Sequence, residues 1–285
     1  MNDDKIIDLH THTNYSDGDL SPNELIKLAI KNNIGTLAIT DHDTIDGIKS
    51  VNKNAKFIKK SGIKIINGIE LTAKVSKGRM HILGYYIDLE NKELNKKMEE
   101  LKDNSINSVL SIMEQIKKDY DIFFSYKDIK ELINANHNLG RPDIAKLCVK
   151  YGYAKNFQDA FDKYLVDAYN KTKSHKHGLS PKECIELILK SGGIPVLAHP
   201  NSLELSEKDF LILLKELISY GLKGIEVYHS NVNPYEREFY LKAAKDNNLL
   251  ISGGSDYHGP SAKPDIEIGH GRNNNILIKD LSILK

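Results

Sequence analysis

The chain has 285 residues, a formal net charge of +1, 40% hydrophobic and 28% charged residues. That suits one large folded domain, or one domain with an insertion, and excludes a disordered chain. Near-neutral charge gives no electrostatic case for gripping long duplex nucleic acid, whereas a small phosphorylated molecule remains a suitable partner.

Read in chain order, Ile6 to Leu9 forms a strand, and Ser21-Pro22-Asn23-Glu24 is a capping box that opens a helix ending near Asn33. Thr36 to Thr40 is a second strand. Thr44 to Lys60 reads as one helix closed by Gly62, and Ile63–Leu71 and Met80–Ile87 as further strands. From 91 to 178 no strand is evident. Leu94, Met98, Leu101, Val109, Ile112 and Ile116 mark a long or broken helix, and shorter helices follow at Tyr126–Asn134, Pro142–Tyr151 and Phe157–Tyr169. This stretch is expected to be a helical insertion, a cap over a site. Ser180-Pro181-Lys182-Glu183 repeats the capping box. Strands Ile194–Ala198, Gly224–Tyr228 and Leu249–Ser252 then alternate with helices Ser206–Tyr220 and Pro234–Asn247. Strand–helix units predict a parallel sheet covered by helices, and about seven strands favour a closed barrel over an open sheet. Residues 1–90 and 179–285 would form that barrel.

In such barrels functional groups gather at the C-terminal ends of the strands. His10 and His12 follow the first strand, and Asp41, His42 and Asp43 follow the second. The third ends in Gly68-Ile69-Glu70, the fourth contains His81, and the fifth runs into His199. The sixth ends at Tyr228-His229, and the seventh runs into Asp256-Tyr257-His258. His10 and His12, two apart in extended chain, leave one face together and can chelate one cation. Imidazole suits zinc, iron and manganese, and carboxylates add hard oxygen ligands. The set contains no cysteine and is too large for one ion, so two or three divalent cations are expected. Glu70 is able to bridge two of them.

The segments "DLHTHTNYSDG", "ITDHDT", "NGIEL", "HILGY", "VLAHP" and "SDYHG" resemble, in order, the motifs of the PHP (polymerase and histidinol phosphatase) family of metal-dependent phosphoesterases. The resemblance covers nearly the whole chain. It implies a distorted seven-stranded, TIM-like β/α barrel with a trinuclear site. It assigns His10, His12, Glu70 and Asp256 to one metal, Glu70, His81 and His199 to a second, and Asp17, His42 and His258 to a third. Asp17 stands where some members carry histidine. The segment Gly140-Arg141-Pro142-Asp143 resembles a branch acting on nucleotides, and there Arg141 and His229 would bind the substrate phosphate. Many relatives have histidine where this chain has Asp143.

The resemblance implies a phosphoric monoester hydrolase acting on nucleoside 3',5'-bisphosphates or monophosphates. A metal-activated hydroxide would be the nucleophile, with no side-chain base assigned. The alternatives are a 5'-to-3' exoribonuclease on short RNA and a histidinol phosphate phosphatase. A metal-dependent amide hydrolase is a further alternative that a carbamylated barrel lysine would favour, and no candidate lysine stands in the ligand set. A nonenzymatic module is opposed by the intact set.

Other residues have plainer readings. Asp41 and Asp43 are candidates to orient the imidazoles. His175 and His177 fall in a polar linker and read as solvated, His137 and His270 as surface residues, and Tyr15 as either a packing or a substrate-contacting residue. Cys148 and Cys184 read as buried free thiols in a reducing compartment. With no secretory pattern and no apolar run long enough for a bilayer, a cytoplasmic protein without a membrane partner is expected.

Overall fold

The computed structural model describes residues 5–135, 138–172 and 178–284; His137, His175 and His177 lie outside these. The chain divides into two compact units, one of Met1–Lys96 with Leu179–Lys285 and one of Lys97–Gly178.

The first unit is built on a seven-stranded sheet in sequential order. Its strands are β1 (Ile6–Asp8), β2 (Ile34–Ile39), β3 (Lys64–Ala73), β4 (Met80–Tyr85), β5 (Ile194–Leu197), β6 (Gly224–His229) and β7 (Leu250–Gly254). α1 (Pro22–Lys31) separates β1 from β2, and its capping box is formed as expected, with Ser21 Oγ accepting from the Glu24 N–H. The sheet closes just beyond the ends of β1 and β7. Leu9 N–H donates to Gly253 O, Asp256 N–H to His10 O and His12 N–H to Tyr257 O, at 3.2, 2.9 and 2.9 Å. The barrel interior is filled by Ile7, Leu9, Ala38, Ile66, Leu83, Tyr85, Val196 and Ala198, with Ile278, Leu281 and Ile283 of the C-terminal segment packed in the same cluster.

Two expectations are corrected. The sheet is not all parallel, because β4 pairs antiparallel with both β3 and β5. The link from Ala73 to Met80 is too short for a crossover helix, so the chain must turn back as a hairpin. The single helix from Thr44 to Lys60 is instead two, α2 (Asp46–Ser50) and α3 (Lys56–Ser61). Between them the Asn52 side chain accepts from the Asn54 N–H, a local turn that competes with helix.

The second unit is helical. α4 (Lys92–Tyr120) is one unbroken helix that enters it, followed by α5 (Tyr126–Ile133), α6 (Arg141–Lys150), α7 (Phe157–Ala160), a wide π-helical turn Phe161–Leu165 and α8 (Val166–Thr172). Val109, Ile112, Ile116, Ile144, Cys148 and Leu165 are among its buried core. Back in the first unit, α9 (Pro181–Lys190), α10 (Glu207–Tyr220) and α11 (Pro234–Asp246) precede β5, β6 and β7 respectively. A small hairpin of β8 (Ile266–Glu267) and β9 (Gly271–Arg272) follows.

Candidate metal centre

The reversal of β4 matters for the site. Parallel strands deliver their C-terminal ends to one rim, and an antiparallel strand delivers its N-terminal end there. His81, second residue of β4, therefore joins His10, His12, His42, Glu70, His199, His229, Asp256 and His258, which lie in or just after the other strands. Asp17 comes from the loop after β1. Asp17, His42, Glu70, His81, His199, His229, Asp256 and His258 line one cavity of about 230 Å³. His10 and His12 are fully buried beneath them.

Glu70 is the centre. Its Oε2 lies 3.1 Å from His10 Nε2, 3.2 Å from His12 Nε2 and 3.2 Å from His42 Nδ1. Its Oε1 lies 2.8 Å from His81 Nδ1 and 2.9 Å from His199 Nε2. Asp256 Oδ1 is 3.3 Å from His12 Nε2 and 3.6 Å from His10 Nε2. Asp17 reaches His258 Nε2 at 3.2 Å and His42 Nε2 at 3.8 Å. Among the described residues, ligand-type atoms within 4.8 Å of one another form the groups His10–His12–Glu70, His42–Glu70–His81, His12–Asp17–His42–His258 and His10–Glu226–His229.

The nitrogen atoms themselves show that divalent cations fit. His12 Nε2 and His42 Nδ1 are buried and make no hydrogen bond, although each sits beside a carboxylate. Buried polar atoms are rarely left so. Lone pairs aimed at carboxylates, without hydrogen-bond geometry, are what a set of neutral imidazoles presents to a cation. The outer nitrogens agree. His10 Nδ1 donates to Glu226 Oε1 at 2.9 Å and His258 Nδ1 to the Asp256 carbonyl at 2.9 Å. His199 Nδ1 donates to Ser202 Oγ at 2.8 Å, because the Ser202 hydroxyl proton is already given to the Arg79 carbonyl. In each ring the proton points outward and Nε2 faces the cluster. His229 is reversed. The Asn231 N–H donates to its Nδ1 at 3.1 Å, so the neutral ring carries its proton on Nε2, 3.3 Å from Asp256 Oδ2. It offers the cavity a donor where the others offer lone pairs.

Electrostatics follow from this crowding. Burial opposes charge on Glu70, yet His42, His10 and His81 hold its carboxyl well below the usual range. Asp256 is lowered the same way, burial again opposing and His10 and His12 outweighing it. Burial likewise opposes the positive charge on His12, but the adjacent Asp256 and Glu70 carboxylates raise its pKa to about 9 when no cation is bound. Burial takes His42 down to about 3. Asp256 holds a left-handed backbone (φ 57°), and His199 also has positive φ (23°), conformations costly for non-glycine residues and frequent at functional sites.

Of the two carboxylates expected to orient imidazoles, Asp41 works at one remove: it accepts from Thr13 N–H at 2.7 Å and Ser16 Oγ at 2.9 Å. Asp43 accepts from Thr72 N–H at 2.9 Å. The direct imidazole partner is Glu226, which sequence reasoning missed; a lone acid inside the apolar run Gly224–Tyr228 was its signal. Arg79, Asn201, Asn231 and Lys263 also line the cavity and were not anticipated. Lys263 Nζ lies 2.5 Å from Asp256 Oδ2. Arg141 opens α6 in the helical unit, its guanidinium 4.4 Å from the ring centre of Tyr169 and 5.4 Å from that of Phe161. Asp143 accepts from the Gly140 N–H at 2.9 Å, an N-terminal capping contact.

Comparison with known proteins agrees with this geometry. The PHP domain model matches residues 8–172. The 5'-3' exoribonuclease Rnm of Salmonella typhimurium is 32% identical, over 93% of this chain and 88% of that protein. A 3',5'-nucleoside bisphosphate phosphatase of Chromobacterium violaceum is 26% identical over 93% and 90%. A solved Bifidobacterium adolescentis structure, assigned to the metal-dependent phosphoesterases, superposes with a TM-score of 0.72 at 27% identity, covering 95% of this chain and 94% of that one.

Proposed function

The chain belongs to the PHP family of metal-dependent phosphoesterases, and from that premise we propose that it hydrolyses phosphate monoesters of small nucleotides at the Glu70 cluster. The observation that carries the reading is Glu70 itself, with five imidazole nitrogens within 3.2 Å of its two oxygens. In this reading His10, His12, Glu70 and Asp256 hold one divalent cation, Glu70, His81 and His199 a second, and Asp17, His42 and His258 a third. Manganese, iron and zinc all suit such a mixed nitrogen–oxygen set. Bound there, the cations supply Lewis acidity and bring a coordinated water's pKa toward ~7.

The chain's own groups do the rest. Glu226 and Ser202 fix the rings of His10 and His199. His229 presents its Nε2–H to a phosphoryl oxygen. Arg141 offers a planar fork that matches phosphate, and stacking on Tyr169 and Phe161 holds the fork in one orientation. The helical unit is proposed to limit substrate size. Two buried free cysteines fit a reducing compartment, and the cytoplasm is the proposed location. No helix among the described residues is long and apolar enough to cross a membrane.

A second reading, 5'-to-3' removal of nucleotides from short RNA, is favoured by one specific observation. The exoribonuclease relatives are 30–32% identical and the bisphosphate phosphatase 26%. The test supplies Mn²⁺, Fe²⁺ and Zn²⁺ separately, comparing phosphate release from a nucleoside 3',5'-bisphosphate with digestion of a short 5'-phosphorylated RNA. Faster bisphosphate turnover supports the first reading, and faster RNA digestion the second. No hydrolysis of either rejects both.

A further inference from the structure

Arg79 stands two residues ahead of His81 and lines the same cavity. It is exposed, whereas Glu70 and His199 are buried, so it occupies the mouth. Its backbone is pinned on both sides. Its N–H donates to the Ser202 carbonyl at 2.9 Å, and its own carbonyl accepts from Ser202 Oγ at 2.8 Å. The same Ser202 oxygen accepts from His199 Nδ1. Gly78, at φ +68°, makes the close approach possible, since a Cβ there would lie 2.5 Å from the Leu203 carbonyl oxygen.

Two of the chain's other three arginines are occupied: Arg272 pairs with Asp265 at 3.1 Å and Arg237 donates to the Asn275 carbonyl, while Arg141, stacked over Tyr169, is the fork proposed above for the reacting phosphate. Lys263, the cavity's other cation, is paired with Asp256. Among the described residues the Arg79 guanidinium has neither an ion pair nor a ring partner. A planar, permanently charged fork, fixed at its base and free at its tip, is suited to a phosphate outside the cation cluster.

We propose that Arg79 forms an anion subsite at the cavity mouth for a second, non-reacting phosphate of the substrate. That group is either the other phosphomonoester of a nucleoside bisphosphate or the phosphodiester next to the terminal nucleotide of short RNA. The inference rests on the phosphoesterase reading above and adds a preference for substrates with two phosphates.

The experiment measures kcat and KM with Mn²⁺ for adenosine 3',5'-bisphosphate, a 5'-phosphorylated dinucleotide and adenosine 5'-monophosphate. It uses unmodified protein, Arg79→Ala, Arg79→Lys and the control Lys77→Ala. The unmodified protein should favour a two-phosphate compound through KM. Arg79→Ala should raise that KM about tenfold or more while kcat and cation content hold. Arg79→Lys should fall between, and Lys77→Ala should match the unmodified protein. A response limited to the bisphosphate identifies the second group as a monoester, and one limited to the dinucleotide as a diester. An equal loss on all three compounds, or no loss, overturns the proposal. The same compounds are titrated calorimetrically into metal-free protein, where a two-phosphate preference should again vanish in Arg79→Ala. Failure of the parent reading appears as no hydrolysis by unmodified protein. Failure of this one appears as the absence of any Arg79-dependent preference in the titrations.

Discussion

Glu226 and His10 form a fully buried carboxylate–imidazole pair, Oε1 to Nδ1 at 2.9 Å. The other Glu226 oxygen accepts from the His199 N–H at 2.7 Å, so one carboxylate on β6 fixes residues that follow β1 and β5. Glutamine has one acceptor oxygen and can serve His10 or His199, never both. Glu226→Gln is predicted to lower affinity for Mn²⁺ by about 10–100-fold while the protein still folds. Calorimetric cation titration beside a thermal melt checks this, and unchanged affinity in a folded variant contradicts it.

The cation-free protein should lose stability between pH 6.5 and 9. His12 has a folded pKa of about 9 against an ordinary 6.5, and His10 is raised too, burial opposing and Glu226, Glu70 and Asp256 prevailing. A raised histidine favours the folded state fully below 6.5, and that contribution fades as pH climbs through the folded value. His42, lowered by burial to about 3, acts with the opposite sign and is finished by 6.5. Cation affinity should rise over the same interval, because the His12 proton must leave. Melting of chelator-treated protein, with cation titrations, across this range tests both. A Tm that climbs with pH contradicts the assignment.

Gly254 sits where the barrel closes. A Cβ there would lie 2.3 Å from the His10 backbone nitrogen and 2.8 Å from Asp8 Oδ1. Gly254→Ala should destabilise the fold by roughly 1–3 kcal/mol through overpacking and should weaken cation binding by displacing His10. Denaturant unfolding measures the first and calorimetry the second. A variant as stable as the parent would show that β1 and β7 are not so tightly joined.

Neither cysteine should react in the native protein. Burial pushes the Cys148 thiol up to about 11, and burial followed by Asp43 and Glu183 raises Cys184 well above its ordinary value. Little thiolate exists near neutral pH, and the thiolate is the nucleophile. A disulfide exchange reagent should modify neither thiol until denaturant is added. Prompt modification of the folded chain contradicts this.

The site was legible because chemistry and position coincide in single words of sequence. His10 and His12 follow an apolar run, as do His199 and Asp256, and strand ends share a rim. Glu226 was not read, because an acid inside a buried strand announces no partner until β1 and β5 are placed beside it. Arg79 was missed for a related reason. Its cavity exists only once the Ala73–Met80 hairpin folds onto Ser202, a contact between residues more than a hundred positions apart. The reversal of β4 was implicit in the short connection before it. The break between α2 and α3 was implicit in Asn52 and Asn54, which periodicity of apolar residues does not weigh.

The most direct test is the number of divalent cations held per chain, measured by metal analysis on unmodified protein and on Glu70→Gln. Unmodified protein should hold two or three, and the variant, its bridging carboxylate gone, should hold fewer and lose phosphate release with them. A chain that holds no divalent cation, or a Glu70→Gln variant that retains the full number, would contradict the account.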